Sequence, residues 1–246
     1  MIPWLSADLP PQFPRQLPED QDYPGLIAAG GLLTPEWLEA AYSQGIFPWY
    51  NHAEPILWWS PDPRAVLFPA ELHLSRRFLR WLKHCPWQVT IDRAFEQVIT
   101  ACAQPRKSQQ ETWLNPAMQR AYIQLHRLGK AHSFEVWNGE RLVGGLYGPA
   151  RGQVFFAESM FSRETNGSRI ALLAACIHLS RCGFRLIDCQ IMNPHLQTLG
   201  ARHIPRERLL HYIRTPRHKP RANDWHLKVA AQQLLQQLPV GEDTAS

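Results

Sequence analysis

Leu186-Ile187-Asp188-Cys189-Gln190 and the earlier run Phe156-Ala157-Glu158-Ser159-Met160-Phe161-Ser162 read as two short buried strands, each with a carboxylate in apolar surroundings. Side chains alternate between the two faces of a strand. Asp188 and Gln190 are therefore expected to share a face with Leu186 and Met192, and Glu158 to share one with Phe156 and Met160. A carboxylate inside a sheet is costly unless it is paired or hydrogen-bonded. A lone one ordinarily bonds backbone amides and supports the fold; two on neighbouring strands point to a site. The stretch between them decides the fold. Asn166-Gly167-Ser168 signals a helix start, Ile170, Leu173, Ala174 and Ile177 recur at helical spacing, and Gly183 is a stop. Strand–helix–strand implies a right-handed crossover between parallel strands of one sheet. Glu158 and the Asp188/Gln190 pair would then face one cleft.

Outward from that unit the chain alternates. Strands are expected over 64–69, 87–91, 132–137, 141–148 and 153–161, with helices over 93–103 and 116–128 and a final helix over 222–237. Near the start, Thr34-Pro35-Glu36 supplies a cap, a Pro at the first helical position and an acid in the first turn of a helix ended by Gly45. The Pro-rich first 20 residues should run extended over the surface. The aromatic, Pro-punctuated segment over 46–64 excludes a long helix or a central strand. The whole reads as an α+β fold with a mixed sheet: a small N-terminal domain over 1–62 and a larger domain over 63–240.

The 246 residues provide ample material for a core, and 45% hydrophobic with 19% charged residues is ordinary globular composition. No run approaches the roughly 18 apolar residues of a membrane span. The first residues lack a basic n-region and an apolar h-region, so a cytoplasmic protein is expected. Five cysteines without CxxC spacing support neither a disulfide framework nor a zinc site. Cys189 invites a nucleophile role, but alternation turns it away from its neighbours and a packed thiol is the better reading. The net charge of +5 is concentrated. Arg76, Arg80 and Lys83 share one face of a capped helix, and seven Arg or Lys lie between Arg202 and Arg221 against the single acid Glu207. Basic faces are commonly just solvated; two of them suit a phosphate-bearing partner.

Phosphate loops of the GxxxxGK[ST] and GxGxxG types are absent. Arg141-Leu142-Val143-Gly144-Gly145-Leu146 is faintly similar to the pyrophosphate loop of acetyl-CoA-dependent acyltransferases. Here, however, another strand follows where a helix should, and Leu146 occupies a position that wants a small residue. A coenzyme A-dependent N-acetyltransferase and a non-catalytic tRNA-binding protein remain the alternatives. The second leaves Glu158, Asp188 and Gln190 without a purpose.

Gly45-Ile46-Phe47-Pro48-Trp49, Trp58-Trp59-Ser60-Pro61-Asp62-Pro63-Arg64, Ala131-His132-Ser133, Glu135-Val136-Trp137, Gly144-Gly145-Leu146-Tyr147-Gly148, Glu158-Ser159-Met160-Phe161-Ser162 and Leu186–Gln190 occur in this order. Together they closely resemble the bacterial leucyl/phenylalanyl-tRNA–protein transferases. The resemblance implies a small N-terminal domain joined to a GNAT-like acyltransferase domain. It implies transfer of Leu or Phe, and less readily Met, from aminoacyl-tRNA to proteins with an N-terminal Arg or Lys. The product would feed N-degron (N-end rule) degradation. No cofactor or metal is expected, because the aminoacyl ester carries the driving force, and a monomer is expected.

By the same resemblance, Asp188 and Gln190 stand at the reacting amine. On this reading Asp188 polarises Gln190, whose carbonyl oxygen bonds the amine; positioning with proton loss elsewhere is an equal account. Glu158 would bind adenosine or substrate amine. Leu146 and Met160, with Ser159 beside them, would form the amino-acid pocket. Leu146 stands where some relatives carry Met. Trp49 and Trp113 would stack on the terminal adenosine, ordinary core packing being the competing account. Arg76, Arg80 and Lys83 match a helix that grips the tRNA acceptor stem. His132 and His195 are general bases by residue type only.

Overall fold

A computed structural model describes residues 2–14, 23–51, 53–105, 113–217 and 225–237. The N-terminal part comprises β1 (Trp4–Leu5), β2 (Leu26–Gly30), α1 (Pro35–Tyr42), β3 (Phe47–Pro48) and β4 (Leu57–Trp59), its strands ordered β1-β2-β4-β3. β4 is thus an inner strand, contrary to expectation, in the proline-free stretch Leu57-Trp58-Trp59. Thr34 caps α1 by accepting from the Trp37 N–H, as its sequence anticipates. The first residues are more than a surface strap. β1 pairs in parallel with β2, and Phe13 is buried edge-on against Trp37 and Trp58.

The larger part contains β5 (Arg64–Leu67), α2 (Arg76–Leu82), β6 (Gln88–Ile91), α3 (Phe95–Cys102), α4 (Pro116–Arg127), β7 (Ala131–Asn138) and β8 (Arg141–Arg151). It continues through β9 (Val154–Phe156), β10 (Ser159–Ser162), α5 (Gly167–Arg181), β11 (Leu186–Gln190), α6 (Pro194–Thr198), β12 (Arg202–Ile204), α7 (Arg206–Arg214) and β13 (Lys228–Ala230). The strands form one mixed sheet, β12-β5-β11-β9-β8-β7-β6-β13, with β10 also on β8. β9 and β11 are parallel and the other pairs are antiparallel, so the expected crossover between parallel strands is present. The expected helix over 222–237 is instead the edge strand β13 followed by a 3-10 turn, Ala231–Gln237, while 222–224 lie outside the described residues. Among the described residues no helix is long and apolar enough to cross a membrane.

Apolar side chains fill both faces of this sheet. Phe155 and Ile187 point to the cluster around α5, whereas Phe156 and Leu186 point to the one built with α3, α4 and the N-terminal residues. Strict alternation would carry these faces onward, but both strands slip. Between the pairs Phe155↔Ala150 and Ser159↔Tyr147 one chain advances four residues while β8 advances three. On β11 the register against β5 shifts between Asp188 and Gln190, leaving Cys189 as the extra residue. One extra residue reverses which face follows. Met160 and Met192 therefore pack with the α5 cluster, opposite to Phe156 and Leu186, contrary to the expected alternation. Gly148 makes the first slip possible: a Cβ there would sit 1.6 Å from the Phe156 carbonyl oxygen.

The expected single strand over 153–161 is thus broken at Ala157–Glu158, and β11 ends at Gln190 rather than Met192. The Ala157 N–H still reaches the Asp188 carbonyl at 2.9 Å, but beyond it β10 stays with β8 and Gln190 with β5. The two parallel strands part, and the sheet forks.

Candidate active site

Glu158 and Gln190 face each other across the fork, Gln190 Nε2 donating to Glu158 Oε1 at 3.2 Å. The Tyr122 hydroxyl, on α4, donates to Glu158 Oε2 at 3.0 Å. The Tyr42 hydroxyl, on α1, lies 2.6 Å from that of Tyr122 and so donates to it. Burial holds both phenols well above their ordinary range, so they act as hydroxyl donors. Burial also pushes the Glu158 carboxyl up to about 7; the two tyrosines pull it down, and the charge of Asp188 adds to the rise. A carboxylate poised near neutrality can exchange a proton in either direction.

Asp188 does not enter the cleft. It is fully buried in a two-pronged ion pair with Arg64, with Nε to Oδ1 at 2.8 Å and Nη2 to Oδ2 at 2.7 Å. It touches Gln190 through the main chain: Oδ1 accepts the Gln190 N–H at 2.9 Å. The expected contact with the Gln190 side-chain amide is not formed; that amide is on Glu158. The cause is the bulge at Cys189, which puts Gln190 at φ +57° and turns it out of line with Asp188.

Two cavities meet at Glu158 and Gln190. One, of about 230 Å³, is lined by Leu146, Met160, Leu172, Leu196 and Cys102, with Ser159 and Trp113 at its wall. It is smaller than the roughly 300–1,000 Å³ of a drug-sized site and suits a single apolar side chain. The other, of about 150 Å³, is bounded by Phe47, Pro48 and the half-exposed Trp49 from the N-terminal part, and by Trp113 and Ile191. Trp113 borders both, and Trp49 packs edge-on against Trp59 at 5.8 Å. Cys189 also borders both, but burial pushes its thiol up to about 12, which removes the thiolate a nucleophile requires.

Comparison with known proteins gives the family of the chain. The family model described as leucyl/phenylalanyl-tRNA protein transferase matches residues 66–214, and that of the family's N-terminal domain matches 31–62. A leucyl/phenylalanyl-tRNA--protein transferase of Shewanella baltica (strain OS185) is 55% identical over 196 residues, covering 80% of this chain and 83% of the relative. Relatives with the same description from Chromohalobacter salexigens and Pseudomonas syringae pv. syringae are 53% and 49% identical, covering 87% and 92% of this chain and 83% and 98% of their own. The chain belongs to the leucyl/phenylalanyl-tRNA–protein transferase family. It is accordingly an aminoacyltransferase, with the α+β fold of a small N-terminal domain and a larger catalytic one.

Within this family member the basic helix stands apart from the cleft. Arg76, Arg80 and Lys83 are exposed and, with Leu79 and Leu235, line an open groove that shares no residue with either cavity. The histidines are not at the cleft either. His132 Nδ1 lies 2.7 Å from Asp92 Oδ2, His126 Nδ1 lies 2.9 Å from the Ala131 carbonyl oxygen, and Asp92 Oδ1 accepts the Ser133 N–H at 2.8 Å. Asp92, His126 and His132 could converge on a metal, yet these hydrogen bonds already occupy both imidazole Nδ1 atoms. His195 is exposed on α6 and borders neither cavity.

Sequence reading passed over three residues of this neighbourhood. Arg64 carried a usable signal, a charge heading the all-buried strand Arg64-Ala65-Val66-Leu67, to which the rule applied to Asp188 extends directly. Tyr42 and Tyr122 carried none, since both occupy core-facing helical positions that any aromatic could fill.

Proposed function

We propose that this chain transfers Leu, Phe and, less efficiently, Met from aminoacyl-tRNA to the N-terminal Arg or Lys of proteins, marking them for N-degron degradation. The observation that carries the reading is the meeting of the two cavities at the Glu158–Gln190 pair in the strand fork. The aminoacyl side chain enters the cavity of Leu146 and Met160, with Ser159 in its wall. The terminal adenosine lies in the cavity toward Trp49, with Trp113 between, each stacking contact worth about 1–3 kcal/mol. The scissile ester then sits beside Glu158 and Gln190.

An α-amino group with an ordinary pKa near 7.7–8 is already about a tenth neutral at pH 7. Its nitrogen attacks the ester carbonyl carbon, the carbon–oxygen bond to the ribose breaks, and a peptide bond forms. The nitrogen gives up a proton as it attacks and the ribose oxygen needs one as it leaves. Glu158 takes the first and can return it to the second. Gln190 orients the amine, and Asp188 acts from beneath through the main chain. The forked parallel strands also favour a GNAT-like catalytic domain, with the domain boundary kept at 62/63. Dependence on aminoacyl-tRNA favours a cytoplasmic location, and the chain acts as a monomer.

The deciding experiment is transfer of labelled Leu from Leu-tRNA to a peptide beginning with Arg, against the same peptide beginning with Ala. Label on the Arg peptide alone is expected. Label on neither peptide with tRNA still bound would leave only an RNA-binding protein.

Two further results are expected. Arg80→Glu should raise KM for aminoacyl-tRNA about tenfold and flatten the slope of log KM against log salt by about one, with kcat little changed; steady-state kinetics at several salt concentrations read both. Tyr122→Phe removes a hydroxyl that lowers the Glu158 pKa. The acidic limb of the rate profile should then move up by about half a pH unit, the scale of one lost hydrogen bond. A limb that stays in place would take Tyr122 out of the proton chemistry.

A further inference from the structure

The chemistry above leaves Arg64 without a task. Its guanidinium is fully buried, forks onto Asp188, and lies 4.7 Å over the Phe47 ring. Its third nitrogen, Nη1, is buried with no hydrogen-bond partner among the described residues. For stability alone this is a poor arrangement. A buried ion pair is often no better than apolar groups of the same volume, and an unpartnered buried N–H adds a cost. What the fork does supply is direction, because two parallel N–H bonds fix the plane of the carboxylate. The Oδ1 so aimed also accepts the N–H of Gln190, whose φ of +57° is sparsely populated for any residue but glycine. From that backbone the Gln190 amide reaches Glu158.

We propose that Arg64 is a positioning residue for acyl transfer: through Asp188 it holds the left-handed backbone of Gln190 and so aims the Gln190 amide across the fork at Glu158. The inference rests on the acyl-transfer reading. Asp188 then acts mainly by geometry, since it borders neither cavity; its charge enters only by adding to the burial-driven rise of the Glu158 carboxyl. The N-terminal domain is tied to the same chain of contacts, because Phe47 both covers the guanidinium and walls the second cavity.

The test compares the full-length wild type with Arg64→Lys, Arg64→Gln, Asp188→Asn and the double variant Arg64→Gln/Asp188→Asn. Leu-tRNA and an Arg-initiated peptide are the substrates, with tRNA affinity and melting temperature measured alongside. Absence of transfer by the wild type would defeat the acyl-transfer reading itself; with transfer present, the variants address Arg64 alone. Arg64→Gln and Asp188→Asn each leave a buried charge unpaired and should lower kcat about 100-fold, the scale of a misplaced reacting group, with KM for Leu-tRNA within about threefold. The double variant replaces the ion pair with a neutral amide pair and should recover kcat at least about tenfold over either single variant. Arg64→Lys keeps the charge but loses the fork, and kcat should fall about tenfold. A double variant no faster than the slower single one would mean that the Asp188 charge takes part in the chemistry, and would overturn the proposal. So would Arg64→Lys with the wild-type kcat. If Arg64→Gln or Asp188→Asn fails to fold, Arg64→Lys still decides.

Discussion

Glu158→Gln should lower kcat/KM by about 10²–10⁴-fold, the range of a lost general base, and at the same time stabilise the protein at pH 8. Both effects come from one property of the side chain. Burial raises the Glu158 carboxyl to about 7 from an ordinary 4.5. Below that value the group is protonated and cannot accept from the amine, so the wild-type rate should climb through pH 7. Removing the carboxylate leaves only the titration of the substrate amine near 7.7–8. The profile of the variant should therefore lose its lower limb. The stability effect has the opposite sense from that of a salt-bridged acid. Between about 4.5 and about 7 the folded chain holds a proton that the unfolded chain has released, so stability falls as pH rises through that window and stays low above it. Gln has nothing to ionise and can still bond Tyr122 and Gln190. Its gain at pH 8 should be about 2 kcal/mol, allowing for partial exposure, and should vanish by about pH 4.5. Rate profiles from pH 6 to 9 and melting curves at both pH values read the two halves separately. A variant that keeps the limb near 7 would remove Glu158 from the proton path.

The strand–helix–strand unit was legible because its signals are local. The helix start at Asn166-Gly167, the apolar spacing of Ile170 to Ile177 and the stop at Gly183 are properties of adjacent residues, and the helix forms as they indicate. The same holds for Thr34-Pro35-Glu36. A shared cleft for Glu158 and Gln190 was also within reach of the pattern, since a crossover can set parallel strands side by side, although their register is visible only in the structure. What the pattern hides is the pair of one-residue slips. A bulge has no composition of its own; Ala157 and Cys189 would pass as regular strand residues, and only a partner strand of fixed length reveals the extra one. That omission kept Asp188 and Gln190 in line in the sequence reading, whereas the bulge turns Gln190 alone into the cleft and leaves Asp188 buried on Arg64. Trp113 and the wall contributed by Trp49 depend on packing between distant segments, where residue type gives no preference between core and cleft. β13 escaped notice because three residues of ordinary propensity become a strand only by pairing with the edge of β6.

Asp188→Ala should separate three quantities that a simple loss of fold would move together. Truncation leaves the Arg64 guanidinium fully buried with its partner gone, and removing one member of a buried pair costs roughly 3–5 kcal/mol. A domain of ordinary stability has about 5–15 kcal/mol to lose, so the variant should remain folded at 25 °C with a clearly lowered melting temperature. The main-chain N–H of Gln190 loses its acceptor at the same time, and its left-handed backbone is released. Gln190 then no longer bridges to Glu158 in one orientation, and kcat should drop at least about 100-fold, the cost of displacing a positioning group by about an ångström. Aminoacyl-tRNA affinity should stay within about threefold, because the groove of Arg76, Arg80 and Lys83 shares no residue with the altered site. Arg80→Glu reverses the pattern, weakening binding and sparing kcat. Filter binding, steady-state transfer and a melting curve on one preparation of each variant give the comparison. Were tRNA affinity to fall in step with turnover in Asp188→Ala, the residue would be part of the RNA grip, and the division of labour between the fork and the basic helix would have to be abandoned.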